Sequence, residues 1–88
     1  MTAGAFARAV RAYCAAARAS VTSWGRTPQH NAAVGGVAQS PHLVWMAVDV
    51  VYDQQEPVDF RQGLAHSLGL VVLREETHDH LQPADWRP

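Results

Sequence analysis

Cys14 is the only cysteine in this chain of 88 residues, so no intrachain disulfide can hold the fold together. A chain of this length buries only roughly 60–65 % of its unfolded surface, around one thin hydrophobic core. A bound metal ion is a common remedy for the low stability of such domains, although a cysteine-rich zinc cluster is excluded here. Five histidines supply candidate ligands. We therefore expect residues 1–88 to form one small domain in which a metal site is an open question.

Charge and composition exclude several classes of protein. Hydrophobic residues make up 48% and charged residues 17% of the chain, which is typical of a globular domain. The formal net charge is -1 and all seven cations are arginine, so we expect no nucleic-acid partner. No apolar run approaches the roughly 18 residues that cross a bilayer, which predicts no membrane insertion. Arginines interrupt the alanine-rich start, so we expect cytoplasmic synthesis without a signal peptide.

Two segments have the pattern of amphipathic helices. In residues 4–19, apolar side chains recur at helical spacing on one face, and arginines lie away from that face. Asp59 is the predicted N-cap of a second helix, which ends before Gly69. The predicted apolar stripe of this second helix consists of Phe60, Leu64 and Leu68.

The remaining segments predict strands and loops. Short apolar or alternating runs predict β-strands at residues 21–24, 42–52, 70–73 and 78–82. Residues 25–41 are rich in glycine and proline and predict a long loop, which in a small domain is usually functional. Residues 83–88 are expected to form a surface tail. The predicted fold class is α+β, with two helices packed on one face of a small, mostly antiparallel sheet.

His78 and His80 lie two residues apart in the last predicted strand, so their imidazoles point to one face and Asp79 to the other. Two convergent imidazoles suit zinc, although two surface histidines would give the same pattern. Glu76 reaches the same cavity if the strand continues backwards, and Glu75 does so if a turn intervenes. A carboxylate there can take a proton from water and return it to a leaving amine, unless both are solvated loop charges.

His42 and Asp49 form a second candidate pair of ligands. On a regular strand they would point to opposite faces, so they can share an ion only if His42 lies in a turn, which Pro41 favours. Asp49 lies between two valines, where a buried carboxylate is costly unless a partner neutralises it. Arg26, at the start of the long loop, can hold a carboxylate through two hydrogen bonds or simply face solvent.

The order of these residues resembles the D-alanyl-D-alanine carboxypeptidase family of zinc peptidases, which includes VanY-like enzymes and phage endolysins and has a hedgehog-like fold. The residues that carry the resemblance are Arg26, Asn31, Gly35-Gly36, Ser40-Pro41-His42, Ala47 and Asp49. Residues 75–86 resemble the final zinc-binding strand of that family. The zinc ligands that the resemblance implies are His42, Asp49 and His80, with water in the fourth position.

The resemblance also implies roles for the residues around the metal. His78 would stabilise the oxyanion or support the metal from beside it. Arg26 would bind a carboxylate or carbonyl of the substrate, and Ser40 would hydrogen-bond its backbone. The implied reaction is hydrolysis of a peptide bond in peptidoglycan stem peptides, of the D,D-carboxypeptidase or L,D-endopeptidase type.

Two positions depart from the family pattern. Trp45 stands where the family has glycine, and Thr77 stands where it tends to have an acidic residue, so the acid/base role passes to Glu75 or Glu76. We expect a zinc-dependent peptidase of phage or prophage origin that acts at the cell wall after release or within a virion, alongside other virion or lysis proteins. The alternative is a catalytically weakened zinc-binding relative that serves as a virion structural or cell-wall-binding module.

Overall fold

The computed structural model describes residues 1–36 and 40–87. In chain order its elements are α1 (Ala3–Ala17), β1 (Ala19–Ser23), α2 (Pro28–Ala33), a 3₁₀ turn (Pro41–Val44), β2 (Val48–Tyr52), α3 (Val58–Ser67), β3 (Leu70–Arg74) and β4 (Asp79–Pro83). The strands form one antiparallel sheet in the order β1-β2-β4-β3. The predicted α+β class is confirmed. Within these residues, no helix has both the length and the apolar character needed to span a membrane.

Helices α1 and α3 pack on the sheet and on each other, and the hydrophobic core lies between these layers. Thr2 is the N-cap of helix α1, and its hydroxyl accepts a hydrogen bond from the Ala5 amide at 3.1 Å. Its short alanine side chains leave a few larger residues to fill the interface. The main core residues of α1 and the sheet are Phe6, Val10, Tyr13, Val48, Val50, Leu70 and Leu81.

Strand register places one row of side chains on the sheet face that points away from these helices. Asp49 of β2 pairs with His80 of β4, and His80 pairs on its other side with Leu73 of β3. Their neighbours Val48 and Leu81 belong to the core, and successive side chains of a strand point to opposite faces. The row therefore faces the long connection between β1 and β2, which contains α2 and the 3₁₀ turn.

That connection is more regular than the predicted loop over residues 25–41. Helix α2 begins at Pro28, after Thr27 whose hydroxyl accepts a hydrogen bond from the His30 amide at 3.1 Å. A capping threonine followed by proline is a recognised helix start. The strand predicted from residue 42 was also wrong at its beginning, because residues 41–44 form the 3₁₀ turn. The predicted loop residues 37–39 lie outside the described residues.

Helix α3 differs from its prediction in its cap and in its buried face. The residue before the helix is Pro57, whereas Asp59 lies in the first turn and was wrongly assigned as the N-cap. The fully buried residues of α3 are Arg61 and Ala65, and Phe60 is 43% exposed. The buried face of α3 therefore differs from the predicted stripe, because Arg61 points into the interior and pairs with the Asp79 carboxylate of β4.

The apolar run at residues 70–73 would suit a buried strand, but β3 lies at the edge of the sheet and only its residue Leu70 is fully covered. Leu73 is 51% exposed, because the helices cover only the opposite face. The tail is attached through backbone hydrogen bonds, from Ala84 to Gly69 at 2.9 Å and from Trp86 to Pro83 at 3.1 Å. The last predicted tail residue, 88, lies outside the described residues.

Candidate metal centre

Three side chains from three elements converge on one point beside the sheet. The Asp49 Oδ1 atom of β2 lies 3.3 Å from His42 Nε2 of the 3₁₀ turn and 3.6 Å from His80 Nδ1 of β4. The two nitrogens are 3.3 Å apart. Tetrahedral zinc, with bonds of roughly 2.0–2.1 Å, separates neighbouring ligand atoms by about 3.4 Å. The spacing of these three atoms therefore fits one zinc ion.

The outward nitrogen of each imidazole is held by an oxygen acceptor. His42 Nδ1 donates to the Trp24 carbonyl at 2.8 Å, because a carbonyl oxygen can only accept. His80 Nε2 donates to the Gln82 side-chain oxygen at 2.7 Å. In each neutral ring the remaining nitrogen then carries a lone pair that points inward. Such outward hydrogen bonds are characteristic of metal-binding histidines, because they fix the orientation and the tautomer of the ring.

The inward side of the cluster contains acceptors without donors. Asp49 Oδ1 is buried and has no hydrogen-bond partner within the described part of the chain. With both imidazoles neutral, it faces two nitrogen lone pairs. Three acceptor atoms held this close repel one another unless a cation lies between them. Because this oxygen lacks a donor and faces two nitrogen lone pairs, His42, Asp49 and His80 suit a divalent metal ion.

The pKa values of Asp49 and His80 reflect how closely these buried groups lie together. Burial would raise the pKa of Asp49, but the ring nitrogens of His42 and His80, which lie 3.3 and 3.6 Å from its Oδ1 atom and carry positive charge when protonated, outweigh burial and hold this pKa well below its ordinary value. Burial would lower the pKa of His80, but the Asp49 carboxylate and Gln82 raise it above its usual value. Asp49 is therefore ionised, and its carboxylate can accept a metal ion in place of the imidazole protons.

Arg26 lies on the opposite side of the Asp49 carboxylate. Its guanidinium is 3.5 Å from Asp49 Oδ2 and donates to the Asn31 side-chain oxygen at 3.2 Å. Gly36 packs directly against Asn31 and Arg26, where a side chain would collide with both. The Arg26 backbone amide also donates to the His42 carbonyl at 3.0 Å. These contacts connect Arg26, the loop at Gly36 and the candidate ligand His42.

Ser40 is buried next to the candidate metal ligands and caps the 3₁₀ turn. Its hydroxyl oxygen accepts a hydrogen bond from the His42 amide at 3.2 Å. This turn, which Pro41 begins, lifts His42 out of the strand so that it faces Asp49. The geometry meets the condition under which the two residues can share an ion.

The hairpin between β3 and β4 decides between the two candidate glutamates. Residues 75–78 form a turn in which the Glu75 amide donates to the His78 carbonyl at 2.9 Å, so strand parity does not extend back to Glu76. The Glu75 carboxylate lies 3.3 Å from His78 Nε2 and 3.8 Å from His80 Nδ1. Glu76 is exposed in the turn. Glu75 is therefore the glutamate that the hairpin brings to the cluster.

A cleft of about 410 Å³ opens beside the cluster. This volume lies within the range of roughly 300–1,000 Å³ that is usual for ligand sites. Its polar wall contains Arg26, Ser40, His42, Glu75, His80 and Gln82. Its apolar wall includes Val34 and Leu73, which are 52% and 51% exposed. The cleft joins cationic, acidic and apolar groups at the candidate metal centre.

Comparison with known protein families assigns the chain. The family described as Peptidase M15 matches residues 2–82, which include every residue of the cluster and the cleft. The chain belongs to the peptidase M15 family. This is a family of zinc peptidases, in agreement with the His42, Asp49 and His80 group. Neither the curated proteins nor the solved structures include a match to it.

The two departures from the M15 pattern have structural explanations. Trp45 has φ 61°, a left-handed conformation that favours glycine, and its indole packs onto Gly25, which has no side chain to obstruct it. The cleft-lining residues described above do not include Trp45. Thr77 lies in the hairpin turn, and its hydroxyl is 3.2 Å from His78 Nδ1. Thr77 therefore contacts the side of His78 that faces away from Glu75.

The sequence analysis missed Gln82 and Trp24, which hydrogen-bond the two histidines of the candidate metal centre. Gln82 lies two residues beyond His80 in β4, so strand parity alone would have placed it on the same face. Trp24 contributes only its carbonyl oxygen, which no side-chain pattern reveals. Asn31 was recognised as part of the family pattern, but its contact with Arg26 required the structure.

Proposed function

We propose that this M15 chain is a zinc-dependent peptidoglycan peptidase that hydrolyses stem peptides, of the D,D-carboxypeptidase or L,D-endopeptidase type. We further propose an endolysin-like protein of phage or prophage origin that meets its substrate at the cell wall. The observation that carries the proposal is the orphaned Asp49 oxygen, which faces two inward imidazole nitrogens beside a cleft. His42, Asp49 and His80 would hold zinc. Bound zinc would polarise the scissile carbonyl and lower the pKa of an attacking water.

Glu75 is the proposed general base and acid. Its carboxylate lines the cleft and is close to both His78 and His80. From there it takes a proton from the attacking water and returns that proton to the amine that leaves. The side chain is 49% exposed, which allows it to meet a substrate in the cleft.

His78 is proposed to stabilise the negative charge that develops on the carbonyl oxygen. If the Thr77 hydroxyl donates to His78 Nδ1, the ring proton resides on Nε2. Nε2 is buried without a hydrogen-bond partner in the described part of the chain, and it is 3.7 Å from Asp49 Oδ1. A donor held ready in this way can bind an oxyanion without reorganisation.

Arg26 and the apolar wall are proposed to select the substrate. Arg26 places positive charge at the cleft, where it suits a peptide carboxylate. Val34 and Leu73 offer small apolar contacts that suit the methyl group of alanine. Ser40 is proposed to hydrogen-bond the substrate backbone in addition to capping the 3₁₀ turn. Together they favour a short anionic peptide such as the end of a stem peptide.

The test is turnover of defined stem peptides by zinc-loaded protein. Free D-alanine from a pentapeptide that ends in D-Ala-D-Ala identifies a carboxypeptidase, and internal fragments seen by mass spectrometry identify an endopeptidase. Chelation should abolish turnover and added zinc should restore it, and Asp49→Ala should abolish it permanently. Glu75→Gln should lower kcat by roughly 10²–10⁴-fold, whereas Glu76→Gln should not.

Folded, zinc-loaded protein that releases neither product would overturn the peptidase proposal. In that case the alternative is a zinc-binding virion or cell-wall module, which Thr77 favours because the M15 acid is absent from its usual place. Recovery of turnover in Thr77→Asp would support that alternative. Turnover that is indifferent to chelation would contradict both.

A further inference from the structure

A second group of potential ligands lies next to the first and shares Asp49. The ligand atoms of Asp49, Glu75 and His78 all lie within 4.8 Å of one another. His78 Nε2 is 3.7 Å from Asp49 Oδ1 and 3.3 Å from Glu75 Oε2. Two carboxylates and an imidazole are a donor set that suits a divalent cation such as zinc.

Two atoms of this group lack hydrogen-bond partners. His78 Nε2 and Asp49 Oδ1 are both buried, and no donor or acceptor satisfies them among the residues that the structure describes. Asp49 itself is only 6% exposed. The first metal centre explains the unsatisfied Asp49 Oδ1 atom. His78 is not a ligand of that centre, so its Nε2 atom remains unexplained. The second orphan needs a partner of its own.

We propose that Asp49, Glu75 and His78 form a second, weaker site for a divalent cation, adjacent to the His42–Asp49–His80 centre. The carboxylate of Asp49 would be common to both sites. Glu75 and His78, which the first centre does not use, would complete the second.

Charge explains why the second site is weaker. With one divalent ion bound, the two carboxylates are neutralised, and Arg26 at 3.5 Å from Asp49 adds a further positive charge. A second cation is therefore repelled by a locally positive centre. It also competes with the first ion for Asp49 and depends on Glu75, which is half exposed in a turn. The first ion should saturate well before the second.

Occupation of this site has a consequence that rests on the proposed function. A cation on His78 Nε2 requires the lone pair of that nitrogen, so the ring proton moves to Nδ1, where the Thr77 hydroxyl oxygen can accept it. The bound cation then occupies the groups proposed to move the proton and to bind the oxyanion. Zinc in excess of one equivalent should therefore inhibit turnover, with half-inhibition at the dissociation constant of the second site.

The test is calorimetric titration of Zn²⁺ into metal-free protein, with bound zinc counted by elemental analysis after dialysis at increasing free zinc. Wild-type protein should show a tight step and a weaker step. Glu75→Gln and His78→Asn should each weaken the second step by about tenfold or more and leave the first step within a few-fold. Glu76→Gln and His66→Asn are matched controls, because they make the same changes at exposed positions and should retain both steps.

A single equivalent of zinc at saturation would overturn the second site. So would a weak step that persists in both Glu75→Gln and His78→Asn, or one that is lost in Glu76→Gln. Circular dichroism confirms that each variant is folded. Because the readout is binding, failure of the second site is distinguishable from failure of the peptidase proposal, which is measured by product release.

Discussion

Two buried aspartates lie on opposite faces of the same sheet and are satisfied in opposite ways. Asp79 of β4 points toward the helices, and its carboxylate accepts hydrogen bonds from Tyr52 and Arg61 at 2.6 Å and from Arg74 at 3.2 Å. Asp49 of the neighbouring β2 points away from the helices, and its Oδ1 atom has no hydrogen-bond donor within the described part of the chain.

The difference separates a carboxylate that is paired within the fold from one that is available to a metal ion. Burial would raise the pKa of Asp79, but hydrogen bonds from Tyr52, Arg61 and Arg74 lower it below its ordinary value. Its charge is compensated inside the fold by Arg61 and Arg74. Asp49 is held ionised by histidines, which can exchange a proton for a metal. Asp49, whose Oδ1 atom lacks a donor, is therefore the candidate metal ligand. Asp79, which has three donors, connects helix α3 to the sheet.

The largest expected effect on stability comes from removing the Asp79 carboxylate, whose hydrogen bonds are all satisfied. Asp79→Ala would leave the Arg61 guanidinium, which is 6% exposed, without its counter-charge. Loss of one partner of a buried pair costs roughly 3–5 kcal/mol. We expect the free energy of unfolding, measured in urea on metal-free protein, to fall by that amount. Asp79→Asn keeps an acceptor for Tyr52 and should cost less, and equal stability of all three proteins would refute the contrast.

The second effect comes from zinc itself. At free zinc about 100 times its dissociation constant, binding stabilises the native state by roughly 2.7 kcal/mol, or about 10–20 °C in Tm for a domain of this size. Chelation should reverse this shift. Asp49→Asn should show no zinc-dependent shift, whereas Asp79→Asn should keep the shift from a lower starting Tm. A zinc shift in Asp49→Asn, measured by calorimetry, would contradict this assignment.

A smaller effect is expected when the outward support of a ligand is removed. Gln82→Ala deletes the acceptor that holds His80 Nε2, so the ring is free to rotate and to change tautomer. Zinc affinity should fall by roughly 10–100-fold, with little change in the stability of metal-free protein. Gln62→Ala, at an exposed glutamine of α3, is the matched control. Equal zinc affinity of the two variants in competition titrations would show that Gln82 does not orient the ligand.

The smallest effect tests the outer layer of the Asp79 network. The Tyr13 hydroxyl donates to the Tyr52 hydroxyl at 2.7 Å, because Tyr52 in turn donates to Asp79. Tyr13→Phe should lower the free energy of unfolding by roughly 0.5–1.5 kcal/mol. Zinc affinity should be unchanged, since this network faces the helices. A loss of zinc affinity in this variant would show that the two sides of the sheet are coupled.

Much of the site could be predicted from the sequence because it depends on local rules. The predicted strand alternation placed His78 and His80 on one side, although β4 begins only at Asp79 and His78 ends the turn before it. A carboxylate between valines identified Asp49 as unusual. The choice between Glu75 and Glu76 could not be predicted, because it depends on where the hairpin turn begins. That boundary is set by strand pairing, which brings Arg74 opposite Asp79.

The fold was predictable in class and less so in orientation. Hydrophobic spacing located α1 and α3, but the spacing in α3 favoured a face with Phe60, whereas the buried face contains Arg61. A buried arginine needs a partner such as a carboxylate, and Arg61 finds it in Asp79 on β4. The periodicity of a helix cannot reveal a pair formed with another element. Helix α2 was missed because a six-residue helix with one buried side chain has no apolar stripe to detect.

The order of His78, Asp79 and His80 also favours the observed register of β4 over a register shifted by one residue. A slip of one residue in β4 would exchange its two faces. It would turn two imidazoles toward the apolar layer and present the Asp79 carboxylate to Asp49, while Arg61 lost its counter-ion. The shifted register is therefore unfavourable on both faces of the sheet. The three residues that supply candidate ligands and the buried counter-ion thus also determine the register of the strand.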